Sequence, residues 1–124
     1  MNIKQYLLKT LSNKELLELL PNKKVYFLHA ISTEENPLQT PYVEYEIINE
    51  YGANYSEGQE EFTTYIVQVD IFSKDDFTII EEIIKKNMIN KEFNRDMCAN
   101  SFEKNTQLNH CAMRFNISLL TSES

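Results

Sequence analysis

Two stretches of alternating apolar and polar residues organise this chain. In Tyr42 to Ile48, Val43, Tyr45 and Ile47 fall on one side, while Tyr42, Glu44, Glu46 and Ile48 fall on the other. In Thr63 to Phe72, Tyr65, Val67, Val69 and Ile71 share one face; Thr64, Ile66, Gln68, Asp70 and Phe72 share the opposite one. A period of two marks a strand with one buried face. Pro41 precedes the first stretch, and proline can open a strand although it cannot sit inside a central one. Residues 49–62, between the two, hold both glycines, four glutamates and two tyrosines. They read as a loop or as the frayed ends of a long hairpin.

Helical periodicity flanks these strands. Residues 2–20 present Leu7, Leu8, Leu11, Leu16, Leu17, Leu19 and Leu20 to a core. Ser12-Asn13-Lys14-Glu15 has capping-box spacing, a place for the helix to break and restart, and Pro21-Asn22 ends it. Val25 to His29 predicts a short first strand, and 32–41 a loop. Ser73-Lys74-Asp75-Asp76 resembles a helix N-terminus, with Asp75 or Asp76 as a cap. The helix is expected to reach about Met88, with Phe77, Ile80 and Ile84 on its apolar stripe, widened by Ile79 and Ile83. Lys85 and Lys86 suit its C-terminal dipole.

Residues 89–95 read as a linker. A hairpin of 96–103 and 109–119 follows, turning near Asn105, with Cys111, Met113, Phe115, Ile117 and Leu119 alternating along its last strand. The tail from Thr121 to Ser124 is expected to fray. This order predicts an α+β fold: an antiparallel sheet with an N-terminal helix and one long amphipathic helix packed on one face. One domain spans 1–124, with an ordered core at about 3–120.

Composition narrows the function classes. The net charge is −7 and the pI about 4.8, so the chain lacks the basic stripe of a nucleic-acid binder and is repelled by anionic membranes. The acidity serves solubility, or it keeps a surface from holding DNA that passes close by. No secretory signal is legible in Met1 to Leu20, and no apolar run of membrane-spanning length occurs, which predicts a chain made in the cytoplasm.

The familiar chemical motifs are missing. There is no phosphate-binding glycine loop, no zinc-protease helix motif and no nucleophile elbow. No catalytic, cofactor-binding or metal-binding residue is therefore assigned. His29 and His110 each sit within or beside a predicted strand and are read as structural. Cys98 and Cys111 have neither C-x-x-C spacing nor a Cys/His cluster around them, which argues against zinc. The last hairpin would place them roughly opposite one another, so a disulfide is conceivable, although two free, partly buried thiols are expected in a reducing cytoplasm. Asp70 lies mid-strand and either faces solvent or pairs with a neighbouring subunit. Glu50, Tyr51, Tyr55, Glu57, Glu60 and Glu61 form a solvated hairpin tip or a contact surface, where tyrosine buries area at low entropic cost.

The whole chain, over roughly 5–120, resembles the tail-completion or tail-terminator proteins of tailed phages. The resemblance is carried by the helix ending in a Leu-Leu pair, the Lys24-Val25-Tyr26 strand start, Pro41-Tyr42-Val43-Glu44-Tyr45, the acidic stretch, Gln68-Val69-Asp70-Ile71-Phe72-Ser73, the amphipathic helix and the final hairpin. It departs where the family has an alanine-rich helix after Ser73 and often arginine-isoleucine at the first strand. The resemblance implies a virion protein without enzymatic activity, assembled in the bacterial host cytoplasm and placed in the tail or neck. Such proteins form a six-fold ring on the head-proximal end of the tail tube. The implied partners are copies of itself, the tail tube protein and the head connector or stopper, with DNA only passing through the lumen and no membrane. Glu50, Tyr51, Tyr55, Glu57, Glu60, Glu61 and Asp70 are the expected subunit or tube contacts. Two other readings fit the residues: an acidic immunity- or inhibitor-like module that docks on a basic partner, and another neck component such as a connector stopper.

Overall fold

The structure is a computed structural model that describes residues 2–56 and 58–121, without the side chains of 53–56 and 60. The N-terminal segment is two short helices, α1 (Ile3–Leu11) and α2 (Lys14–Leu17). The expected break occurs: the Asn13 side chain accepts a hydrogen bond from Leu16 N at 2.8 Å and starts α2. After β1 (Tyr26–Phe27) come β2 (Tyr42–Ser56), β3 (Gln59–Ser73), α3 (Thr78–Asn90), β4 (Asn94–Glu103) and β5 (Leu108–Leu120). The five strands form one sheet in the order β1-β2-β3-β5-β4. No helix among the described residues is long and apolar enough to cross a membrane.

The α+β class holds, and three details differ from expectation. The sheet is mixed, because β1 pairs parallel to β2, with Tyr26 opposite Glu44 and Phe27 opposite Tyr45. No helix is long. The longest, α3, has 13 residues and begins at Thr78, because Ser73 and Asp76 build turns ahead of it. Ser73 Oγ accepts from Asp75 N at 3.1 Å, and Asp76 Oδ1 accepts from Thr78 N at 3.0 Å and from the Thr78 hydroxyl at 2.6 Å. These local bonds compete with helical ones and delay the start. They also hold the exposed Asp76 carboxyl below the usual carboxylate range. Thirdly, 49–62 is a paired hairpin for nearly all its length, with Gly58 at φ 80° in the reversal between Ser56 and Gln59.

All helices cover one face of the sheet. Val43, Tyr45, Tyr65, Val67, Val69 and Ile71 are buried there, as their alternation predicts, together with Cys111, Met113, Phe115 and Ile117 of β5. Leu7, Leu11 and Leu16 meet them from α1 and α2, and Ile80, Ile84 and Met88 from α3. The helices are also tied to one another. The Tyr6 hydroxyl donates to Lys91 O at 2.7 Å, and Lys86 pairs with Glu15 at 3.0 Å.

Candidate functional site

The sequence-predicted residues divide between two places. Glu50, Tyr51 and Glu61 are exposed along the far half of the β2–β3 hairpin. Tyr55 and Glu60 are opposite each other in the backbone register, but their side chains lie outside the described residues, as does all of Glu57. A bulge between Ile47 and Asn49 adds one residue to β2. Beyond it, Glu50 stands opposite Tyr65 and Tyr51 opposite Thr64. Opposite residues share a face, so Tyr51 moves to the open side of the sheet and Glu50 to the helix side. Simple alternation from Val43, Tyr45 and Ile47 would have placed them the other way round.

Asp70 is remote from this tip. It lies on the open face opposite Glu44 and Ala112, is only 7% exposed and is engaged within the chain. His110 Nε2 approaches Asp70 Oδ1 at 2.7 Å, and Gln68 Nε2 donates to the same carboxylate at 3.0 and 3.2 Å. Arg114 Nε then donates to Gln68 Oε1 at 2.9 Å. The Tyr42, Phe72 and His110 rings form a stack beside this chain of bonds, with centroid spacings of 4.9 and 4.3 Å. On the other flank, Glu44 Oε2 accepts from Ala30 N at 2.7 Å and lies 3.8 Å from His29 Nδ1. Burial pushes the Glu44 carboxyl up; the Ala30 N–H and His29 only partly oppose this.

The two histidines, remote in sequence, thus flank one polar network. His110 Nδ1 faces Glu103 at 3.9 Å, so both of its nitrogens look onto carboxylates. That arrangement orients the ring and fastens strands together.

A second cluster lies at the helix-covered side of the last hairpin, where spacing had argued against one. Cys98 stands opposite Met113, and Cys111 opposite Asn100, so the two cysteines are diagonal neighbours with sulfurs 3.7 Å apart. Both are free thiols. Glu81 of α3 reaches over them: its Oε1 accepts from Cys111 Sγ at 3.2 Å and from Cys98 Sγ at 3.8 Å. Its Oε2 accepts from Lys85 Nζ at 2.9 Å. The Lys85 hydrogen bond, ahead of opposing burial, holds the Glu81 carboxyl below the usual range, and the same bond raises Lys85. Burial first, then Glu81, pushes the Cys111 thiol far up. Among the described residues, these are the three His, Cys, Asp or Glu side chains whose donor atoms converge within 4.8 Å.

No protein-family model matches this chain, and no curated protein matches it significantly.

Proposed function

We propose that this chain is a structural subunit that assembles head to tail into a ring, of the tail-terminator kind, at the head-proximal end of a phage tail tube. The observation that carries the reading is the pair of open sheet edges. At one end, β1 covers β2 only at Glu44 and Tyr45, and its extension is a single bond from Leu28 N to Tyr45 O, so that among the described residues the outer edge of β2 from Glu46 to Ser56 has no neighbour strand. At the other end, β4 pairs with β5 alone, and its residues are exposed nearly throughout. Unpaired edges are templates for another chain, and two different edges on one subunit make a heterologous contact. Such contacts close into a ring when the rotation per subunit closes.

Two further features support the reading. The element order of helix, strand, long hairpin, helix and hairpin is that of the resemblance read in the sequence. The β2–β3 hairpin also outruns the sheet: β5 ends opposite Phe62, beyond which β2 and β3 pair only with each other. This two-stranded arm, with Glu61 exposed on it and Glu50 and Tyr51 exposed on β2 just before it, suits contact with a neighbouring subunit or the tube. The net charge of −7 suits a lumen that does not retain the DNA backbone. In this reading the protein is not an enzyme, and its partners are its own copies, the tube protein and the head connector.

Electron microscopy of particles made without this gene tests the proposal. Tails of irregular length beside filled, tailless heads are expected. Normally joined particles would overturn it, and a basic protein captured by the purified chain would then favour the inhibitor-like reading.

A further inference from the structure

We propose that Glu81, Cys98 and Cys111 form a binding site for a thiophilic divalent cation of the zinc type. The three side chains come from α3, β4 and β5, and their donor atoms sit at the corners of one tetrahedral face. With zinc–sulfur bonds of about 2.3 Å and zinc–oxygen bonds of about 2.0–2.2 Å, tetrahedral angles put two sulfurs roughly 3.8 Å apart and a sulfur and an oxygen roughly 3.6 Å apart. The sulfurs here are separated by 3.7 Å, and Oε1 lies 3.2 and 3.8 Å from them. The dimensions of a metal site are thus already present, and binding needs shifts of only tenths of an ångström.

The surroundings fit as well. One carboxylate oxygen faces both sulfurs, as monodentate ligation requires, while the other is held by Lys85 Nζ at 2.9 Å. Lys85 therefore acts as an outer-shell group that fixes the orientation of the ligand. Binding exchanges the two S–H bonds for metal–sulfur bonds and releases both protons to water. The dication, two thiolates, one carboxylate and one ammonium then sum to zero charge, which removes the penalty of an uncompensated charge in a partly buried site. Cys111 is buried and Cys98 exposed, so an ion can enter from the β4 side. Three protein donors leave a fourth position for water. The benefit is mechanical: β4 is an edge strand held by β5, and the ion would tie it to α3.

Titrating the reduced, full-length protein with Co²⁺ alone, and then with Zn²⁺, tests the site. One equivalent of cobalt is expected to give thiolate-to-metal charge-transfer absorption and the visible bands of a tetrahedral ion. Zinc should displace it and raise the melting temperature by mass action. Cys98→Ser, at an exposed position, should fold and lose most of the charge-transfer band. Lys85→Met should weaken binding about 10–100-fold, the usual effect of losing an outer-shell partner. Two outcomes would overturn the proposal: wild-type protein with both thiols free that gives no cobalt band, or a band unchanged in Cys98→Ser.

Discussion

His110 Nε2 and Asp70 Oδ1 lie 2.7 Å apart and join β5 to β3 across the open face of the sheet. The same carboxylate takes both contacts from Gln68, so one buried acid holds two partners in place. Asp70→Ala would leave an imidazole and an amide without their acceptor. It should cost about 1–3 kcal/mol, the penalty for unsatisfied buried polar groups. Asp70→Asn should cost less. Urea denaturation measures both; a loss for the alanine variant within about 0.5 kcal/mol, the range of ordinary surface changes, would show that the network holds nothing.

Glu44 makes a pH prediction whose sign follows from its raised carboxyl. Burial is the main cause of the rise above the ordinary 4.5, so the folded protein binds this proton more tightly than the unfolded chain. Stability at this site therefore falls as pH rises from 4.5 through the raised folded value. Glu44→Gln removes that titration and keeps an acceptor for Ala30 N. The variant should match the parent in acid and become the more stable one as pH rises to neutrality. Thermal melts of both proteins across that range check it, and parallel curves would refute it.

Glu92 ends α3 in the left-handed conformation, at φ 69°. Phe93 N donates to Met88 O and Glu92 N to Ile89 O, both at 3.0 Å, and the buried Phe93 and Met88 seal the end. This is the Schellman pattern, in which glycine usually occupies the position of Glu92. A side chain there costs about 1–2 kcal/mol, part of which glycine's extra unfolded-state freedom offsets. Glu92→Gly should therefore raise stability by about 0.5–1 kcal/mol. A loss of stability would mean that the glutamate side chain contributes more than its strain.

The hairpin arm separates folding from assembly. Tyr51 is 50% exposed on the open face at the base of the arm, and Glu50 and Glu61 are exposed along the same hairpin. Tyr51→Ser and Glu61→Lys should each change stability by less than about 0.5 kcal/mol while reducing the yield of joined particles. Deleting residues 53–59 should leave a folded protein that does not assemble. Circular dichroism and electron microscopy of complemented particles read the two properties separately. Normal assembly by the deleted protein would sink the assigned role of the arm.

Core burial supplies the stability on which these differences rest. Phe115 is fully buried in β5, on the face under the helices. Phe115→Ala should cost about 3–5 kcal/mol by the lost transfer energy and the cavity left behind. A chemical melt would show the midpoint fall; a loss within 1 kcal/mol on the same melt would mean that the core collapses around the gap.

The α+β class, the strand faces at 42–48 and 63–72, the last hairpin and the helix break at Asn13 were legible in the sequence. Each rests on local information: period-two or helical spacing, or a capping side chain. The extent of the long hairpin was legible only as one of two options, because its glycines and glutamates carry no hydrophobic alternation. Pairing with the opposite strand decided it. The parallel partner of β2 depends on where distant backbone groups find hydrogen bonds, which no local pattern encodes. The late start of α3 is a local competition, decided by the Ser73 and Asp76 side chains that bond Asp75 N and Thr78 N ahead of the helix.

The candidate sites divide along the same line. Composition and spacing single out the acidic, tyrosine-bearing stretch, since exposure follows from polarity. They do not place Tyr51 on the open face; one bulged residue at Ile47/Asn49 reverses the alternation beyond it. Asp70 stood out as a carboxylate inside a strand, but only the register brings His110 to it from 40 residues away. The Glu81–Cys98–Cys111 cluster lies furthest from what a sequence can show. Its cysteines are 13 residues apart, and they meet because diagonal neighbours on β4 and β5 face the same helix. Periodicity determines which side of an element is buried; the register between elements decides which buried side chains touch.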